Sequence, residues 1–478
     1  MSTTLTITTD EWRYWLRSKL ALAVVALFVV ILVGVSVLTN LRIDAETHER
    51  EHHQEVSEET FLDQPDRHPH RMVHYGHYVF RAPMPLAIFD PGLDAITGQT
   101  LFLEGHRQNS ATFSASAASA DLGGFSWLTP ALMYQLFAPL LVIVLGHGAI
   151  VRERESGTLP ALLAQGLTGR RLVAGKLLAL ALFVVLLLVP VLVSGVIALS
   201  AGEHVFAAAS LVGVYLAYLL VWVALTLLVS ALAKKRATAV AILAAAWLAL
   251  TLVLPAVAVN TTTQTAPLAG KIETELTMLT EMRGLGDGHD VDDSVYNDVQ
   301  ASLLAQYGVA SVEDLDINIR GVLAQKAEAE LTDTLNVYAD RRMAAEMRQS
   351  ERVTAHGWLT PTLAVAAASR TLAGTDLFHY HRFLRQAEAL RISFVQGLNR
   401  AHAEVLSYTD DINRNRDEAS WERARVDASN WQVLETFQYE PASASVRVAG
   451  AQSSIAMLAA WIAVLSLLLA WAGGRLKP

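Results

Sequence analysis

The sequence predicts an all-α integral membrane protein. It has six transmembrane helices, a short helix in one connecting loop, and a mainly helical domain on the far side of the bilayer. Three observations lead there. The chain of 478 residues is 53% hydrophobic but only 17% charged, with a mean hydropathy of +0.33. Its apolar residues gather into runs long enough to cross a ~30 Å hydrocarbon core, which takes ~20 helical residues. Its basic residues collect at four places that a six-span path puts on one side, as the positive-inside rule requires of cytoplasmic segments.

Residues 1–19 open the chain. Thr9 and Asp10 suit a helix N-cap, and Trp12, Trp15, Leu16 and Leu20 recur at helical spacing after them. With Tyr14, Arg13 and Arg17 alongside, this reads as a helix lying in the membrane interface. The plainer reading is a cytoplasmic extension of the first span. That span, 20–40, exceeds a signal-peptide core and runs into acidic, His-rich sequence with no A-x-A-type site, so it is expected to be retained.

Residues 41–128 then form a His-rich external loop, ending in the small-residue linker "SASAASA" (114–120). The second span is 129–150. Residues 151–172 return to the cytoplasm. Spans three, four and five cover 173–199, 206–232 and 237–259. Residues 260–450 form the external domain, with a long helix near 317–353. Its apolar-face candidates are Val322, Leu323, Leu331, Leu335 and Tyr338, and "GLGDGHDVDDS" (284–294) reads as a loop between helices. The last span is 451–472, and 473–478 is a cytoplasmic tail. The four basic groups are Arg13, Arg17 and Lys19; Arg152, Arg154, Arg170, Arg171 and Lys176; Lys234, Lys235 and Arg236; and Arg475 and Lys477. Both termini are therefore expected in the cytoplasm. Pro190 and Pro255 are expected to kink spans three and five.

The composition also excludes. A net charge of −9 argues against a nucleic-acid partner. With no cysteine, neither disulfides nor thiolate zinc sites are available, and the external parts must hold by packing.

The stretch "VRERESGTLPALLAQGLTGRRL" (151–172) interrupts the apolar sequence with concentrated charge. Thr158 can cap a short helix with Pro160 in its first turn, and Leu159, Leu162, Leu163 and Leu167 share a face. Gly166 and Gly169 break it, and Arg170 and Arg171 restart the chain at the membrane surface. Such an amphipathic helix suits either a partner's groove or the inner leaflet, and the residues alone leave both open.

"RERESGTLPALLAQGLTGRRLVAGKLLA" resembles the cytoplasmic loop of ABC-2 type transport permeases. Glu155, Gly157, Thr158, Leu159, Arg170, Arg171, Gly175 and Lys176 stand at that family's motif positions. The external stretches "HYGHYVFRAPMPLAIFDPGLD" (74–94), "LEGHRQN" (103–109), "LLAQYGV" (303–309) and "LAGTDLFHYHRF" (372–383) resemble the subgroup carrying the domain called DUF3526. The resemblance implies an exporting permease subunit in a bacterial inner membrane. Its loop would be a coupling helix docked on a separate dimeric ATPase, with a second permease copy or a paralogue completing the pathway. Arg152, Glu153, Glu155, Gly157, Thr158, Leu159, Leu162, Leu163, Gly166, Arg170 and Arg171 would form the coupling element, with Glu153 and Glu155 as salt-bridge partners or hinges. ATP and Mg²⁺ would belong to the ATPase.

This chain is expected to be no enzyme by itself. The P-loop pattern is missing. Its nearest match, "GRRLVAGK" (169–176), has an extra residue, and Leu177 stands where a magnesium-binding hydroxyl would be.

Histidines offer a second reading. His48 and His52 stand at i, i+4, and with His53 they are candidate metal ligands, which would make this a metal-handling permease. The favoured reading of that segment is a solvated, charged stalk. "DGHDVDD" (287–293) lacks the order of a calcium loop, and His379 and His381 fall on nearly opposed helix faces. Within the spans, His147, between Gly146 and Gly148, is the ionisable residue that stands out. A further alternative, from another class, is a membrane-anchored binding or scaffold protein without transport.

Overall fold

The computed structural model describes residues 3–112, 128–285, 294–432 and 437–476. The SASAASA linker and the DGHDVDD segment lie outside them.

In chain order the helices are α1 (Thr3–Arg17), α2 (Lys19–Leu62), α3 (Pro69–Tyr75), α4 (Pro130–Glu155, through a turn at 147–150), α5 (Thr158–Ala164), α6 (Gly169–Ser200), α7 (Val205–Leu232) and α8 (Arg236–Thr265). They continue as α9 (Lys271–Met282), α10 (Asn297–Tyr307), α11 (Ile319–Ala355), α12 (Pro361–Ala373), α13 (Leu377–Val405), α14 (Tyr408–Asn413), α15 (Glu418–Arg423), α16 (Ser429–Gln432) and α17 (Ala444–Gly474). Six of these, α2, α4, α6, α7, α8 and α17, are long and apolar enough to cross a membrane. This makes the chain a multi-pass membrane protein. Most of the apolar windows of α4 and α7 are buried (67% and 61%), so these two form the centre; α2 and α8 leave theirs open (17% and 11%).

Proline shapes the spans. A proline leaves the carbonyl four residues back without its helical partner, and in a dry bundle another group must satisfy it. In α4, Pro139 follows a π-turn at Met133–Phe137. The Gln135 carbonyl accepts from the Tyr218 hydroxyl at 2.6 Å, and the Leu136 carbonyl from Trp247 Nε1 at 2.8 Å. In α6 the helix breaks at Leu188 just before Pro190, and Tyr134 donates to the Leu187 carbonyl at 2.5 Å. Pro255 in α8 likewise follows a π-turn, Ala249–Val253, and Thr360 donates to the Leu250 carbonyl. The sequence reading missed the distortion at Pro139.

Several expectations need correction. The helix expected to start after Thr9-Asp10 runs from Thr3, so those residues lie inside it. The cap in this region is Ser18, whose Oγ accepts from the Ala21 N–H at 3.3 Å and starts α2. Nor does α1 give all its aromatic face to an interface: Trp15 is buried, bonded through Nε1 to the Leu145 carbonyl at 3.1 Å. Thr8, Glu11 and Trp15 form the inward stripe, while Leu5, Tyr14 and Leu16 face out. α2 does not end at residue 40 but carries the acidic, His-rich stretch onward as one continuous helix to Leu62.

The chain is also not purely helical. β1 (His77–Phe80) and β2 (Thr100–Leu103) pair antiparallel, His77 opposite Leu103. This hairpin lies in the first long loop, which folds together with the 260–450 region rather than apart from it. Phe61, Met72 and Val73 pack with Val395, Leu398, Leu406, Val426 and Trp431. Val79, Leu101 and Leu103 pack with Phe383 and Ala387. Buried Arg81 adds a polar tie, bonding Asp94 at 2.7 Å and the Gly374 carbonyl at 3.1 Å. In α11, Leu323 and Leu335 are buried, whereas Val322, Leu331 and Tyr338 are half-buried. The apolar stripe winds around this 37-residue helix because several partners, α13, α8, α9 and α12, cover it in turn.

Charge is buried at the bundle's edges. Glu203 and Arg447, both nearly inaccessible, pair at 3.0 Å and tie the start of α17 to the turn before α7. His147 keeps its Nδ1 on its own helix, 3.0 Å from the Val144 carbonyl, and is half-exposed. A Cβ on neighbouring Gly146 would stand 2.8 Å from both Leu180 and Thr226, so the small residue there serves close helix packing.

Candidate functional site

The charged stretch 151–172 sits at the end of the bundle opposite the Glu203–Arg447 pair. α4 delivers four consecutive charges, and each has a different partner. Arg154 donates to the carbonyls of Ala231, at 2.8 Å, and Ala233, capping the C-terminal end of α7 where helix carbonyls lack partners. Ser230 Oγ accepts from the backbone N–H groups of Ile150 and Val151 at 3.0 and 3.1 Å. Together these clamp α4 to α7. Glu155 reaches Arg236 at 2.5 Å, joining the loop to the start of α8.

Arg152 and Glu153 face the other way. Arg152 lies over the Tyr14 ring, 3.8 Å from its centroid, and bonds Glu11 at 3.0 Å. Glu11, 1% exposed, also accepts from Lys176 of α6. Glu153 closes the circuit, 3.4 Å from Arg152 and 3.7 Å from Lys176. Two cations and two carboxylates thus balance in a nearly dry setting, where an unmatched charge would cost several kcal/mol. Thr8 donates to the Gly175 carbonyl at 3.0 Å. Gly175 admits this approach because a Cβ there would stand 2.7 Å from Ile7.

Glu153 also accepts from the Thr158 hydroxyl at 2.7 Å, which fastens α5 to the net. Thr158 was expected to cap α5, and that is corrected: it is the first helical residue, and Gly157 is the cap, at φ +74°. At the other end Leu167 N bonds the Leu162 carbonyl, Gly166 N bonds the Leu163 carbonyl, and Gly166 has φ +87°. This is a Schellman turn, which favours glycine because a Cβ disfavours the left-handed conformation. Gly169 does not break the helix. It begins α6, where a Cβ would stand 2.3 Å from the Gly473 carbonyl, so α6 and α17 cross there in near contact.

The leucine face is not left wholly open, as the sequence had suggested. Leu159 is 2% exposed, and Leu162, Leu163 and Leu167 are half-buried. The exposed side of α5 carries Pro160, Ala161, Ala164 and Gln165, with Arg170 and Arg171 exposed beyond it. The site is therefore a short helix anchored by one leucine, flanked by glycine turns and bolted through Glu153 to α1 and α6. Sequence reasoning missed Glu11, Arg154, Ser230 and Arg236 as parts of this arrangement. Glu11 carried one signal, an acid i, i+4 from a tryptophan on an otherwise amphipathic helix. Lys176 is buried and paired with Glu11 and Glu153.

The histidine candidates fare differently. His48, His52 and His53 all lie on the exposed surface of α2. His48 Nδ1 bonds the Asp44 carbonyl at 2.8 Å, and His53 stacks on Phe80 while standing 3.6 Å from Glu49. The His52 and His53 rings lie 5.9 Å apart, but these three histidines do not bring ligand atoms together as a group. His379 and His381 part ways as expected, to Asp376 (2.6 Å) and Glu346 (2.8 Å).

A buried histidine pair occurs elsewhere in the domain. His68 Nε2 and His402 Nε2 hold the two oxygens of Asp411 at 3.0 and 2.8 Å, with Asn318 donating at 3.1 Å and Arg414 also bonded. Burial pushes the Asp411 carboxyl upward, but the His402 and His68 hydrogen bonds outweigh it and hold the group well below the usual carboxylate range. Burial lowers the pKa of His68. Every near oxygen lone pair is taken by a donor, so this cluster is a structural lock joining the α2–α3 turn to α13 and α14.

Comparison with known proteins bears on the domain. A family model described as a domain of unknown function, DUF3526, matches residues 271–440, and this domain is known in ABC-2 type permease-like proteins. No curated protein matches the chain.

Proposed function

We propose that this chain is the membrane-embedded permease subunit of a bacterial ABC-2 type transporter, driven by a separate dimeric ATPase. The observation that carries the reading is the mounting of α5: a surface-exposed helix tied through Glu153 to Glu11, Arg152 and Lys176, hence to α1 and α6. ATP and Mg²⁺ act on the partner. Closure of the ATPase dimer presses on the side of α5 bearing Ala161, Ala164 and Gln165. Leu159 and the charge net pass that push to α1 and α6, while Arg154 and Glu155 pass it to α7 and α8. The open apolar faces of α2 and α8 supply area for lipid and for a second permease copy or a paralogue. In this reading the loop and both termini are cytoplasmic in the inner membrane, the 41–112 and 260–450 regions lie outside, and the cargo is exported.

The test is co-purification from the native host in mild detergent. An ATPase should accompany the wild type and be lost from an Ala161→Glu, Ala164→Glu variant that elutes normally, since both side chains are exposed. A folded wild type that brings no ATPase under conditions preserving such complexes would move the scaffold reading ahead.

A further inference from the structure

Three imidazoles converge on the surface of the domain at a place remote from α5. His70 and His74 stand one turn apart on α3, and His106 follows β2 in the next loop. The His70 and His74 Nε2 atoms are 3.1 Å apart. Ring centroids lie 4.6 Å apart for His70 and His74, 5.6 Å for His70 and His106, and 5.0 Å for His74 and His106. One ring nitrogen from each lies within 4.8 Å of the other two. We propose that His70, His74 and His106 form a binding site for a first-row divalent cation, with Zn²⁺ the best match.

The distances fit that chemistry. Two nitrogens held ~2.0–2.1 Å from a tetrahedral zinc are ~3.3 Å from each other. The His70–His74 pair is within a few tenths of that, and the His106 nitrogen, within 4.8 Å of both, has to close in by a ring rotation. Both Nε2 atoms must then present lone pairs, so the ring that now donates moves its proton to Nδ1. Three neutral imidazoles suit zinc, copper(II) or nickel(II) and leave a coordination position for water or a carboxylate.

The supporting shell is what distinguishes this cluster from a chance gathering. In the tautomer that donates from Nδ1, His106 bonds the buried Glu328 at 2.9 Å, and its backbone N–H bonds the same carboxylate at 3.1 Å. Glu328 is held in turn by buried Arg391. A carboxylate on the far nitrogen of a histidine orients its other nitrogen and raises its basicity, the arrangement found behind metal-ligating imidazoles. The loop is docked in advance: Gly105 N bonds the Val73 carbonyl of α3 at 2.9 Å, and a Cβ on Gly105 would strike Val73. His106 has φ +65°, alone in that region among the described non-glycine residues. Such a conformation persists only where its surroundings impose it. In the His68–His402–Asp411 cluster, by contrast, the third converging group is itself the carboxylate, already filled by Asn318 and Arg414.

The experiment uses the full-length protein in nanodiscs, stripped with chelator and titrated with Zn²⁺ against a chromophoric competitor. One equivalent per chain should bind and raise the unfolding temperature. His74→Ala, at an exposed position, should weaken binding at least tenfold and abolish that rise. Glu328→Gln should weaken it roughly 10–100-fold, the usual effect of losing such a partner. A His48→Ala, His52→Ala, His53→Ala variant should bind as the wild type does. The proposal is overturned if no equivalent binds, if His74→Ala and His70→Ala bind as tightly as the wild type, or if binding follows the α2 histidines instead.

Discussion

Glu11→Gln is the sharpest probe of how α5 is mounted. The side chain is 1% exposed and pairs with both Arg152 and Lys176. The change keeps its shape and removes its charge, so a balanced net of two cations and two carboxylates acquires one excess positive charge. Removing one partner of a buried pair costs ~3–5 kcal/mol. Lys176 retains Glu153 at 3.7 Å, which places this case at the lower end, about 3 kcal/mol. At ~1.4 kcal/mol per tenfold, α1 should open locally about a hundred times more often. Hydrogen exchange of residues 3–17 in nanodiscs reads that directly. Adding Lys176→Met restores charge balance and should return exchange to within roughly tenfold of wild type, a coupling characteristic of contacting residues. Exchange in α1 that changes less than about threefold in Glu11→Gln would refute the claim that this carboxylate holds α1 against α6.

Two more predictions test neighbouring inferences. Gly157→Ala adds a Cβ that meets nothing within 4 Å, so its cost is backbone strain alone at φ +74°, about 1 kcal/mol, seen as severalfold faster exchange confined to α5, with Gly157→Asn milder. His77 is buried beside Phe61 and Phe394, and burial pushes its pKa down to about 4. The unfolded imidazole titrates near ~6.5, so between those values the unfolded state holds the extra proton. The domain's stability should be full above about pH 6.5 and fall by up to about 3 kcal/mol as pH drops toward 4. His77→Gln should flatten that slope in urea denaturation series, and an unchanged slope would count against it.

The spans were legible because lipid imposes a one-dimensional requirement: about twenty apolar residues per crossing, readable by counting along the chain. All six appear, and so do the long helix near 317–353 and the short helix before Gly166. Helix ends were less legible. The Thr9-Asp10 cap failed because those residues suit a cap but nothing local prevents the helix from starting earlier, and Thr158 yielded to Gly157 because its hydroxyl had a better partner in Glu153.

What only the tertiary structure decided is which distant groups meet. Glu11 and Lys176 are 165 residues apart, His106 and Glu328 are 222, and His68 and Asp411 are 343. Periodicity says which face of a helix is apolar, but not which other helix covers it. The histidines show the difference plainly. Spacing pointed to His48 and His52, a sound i, i+4 pair that folding leaves on an open helix surface. The equally ordinary pair His70 and His74 gains a third imidazole and a carboxylate behind it, because a hairpin turns the chain back onto α3. Local spacing sets the His70–His74 pair; the third imidazole comes from the fold.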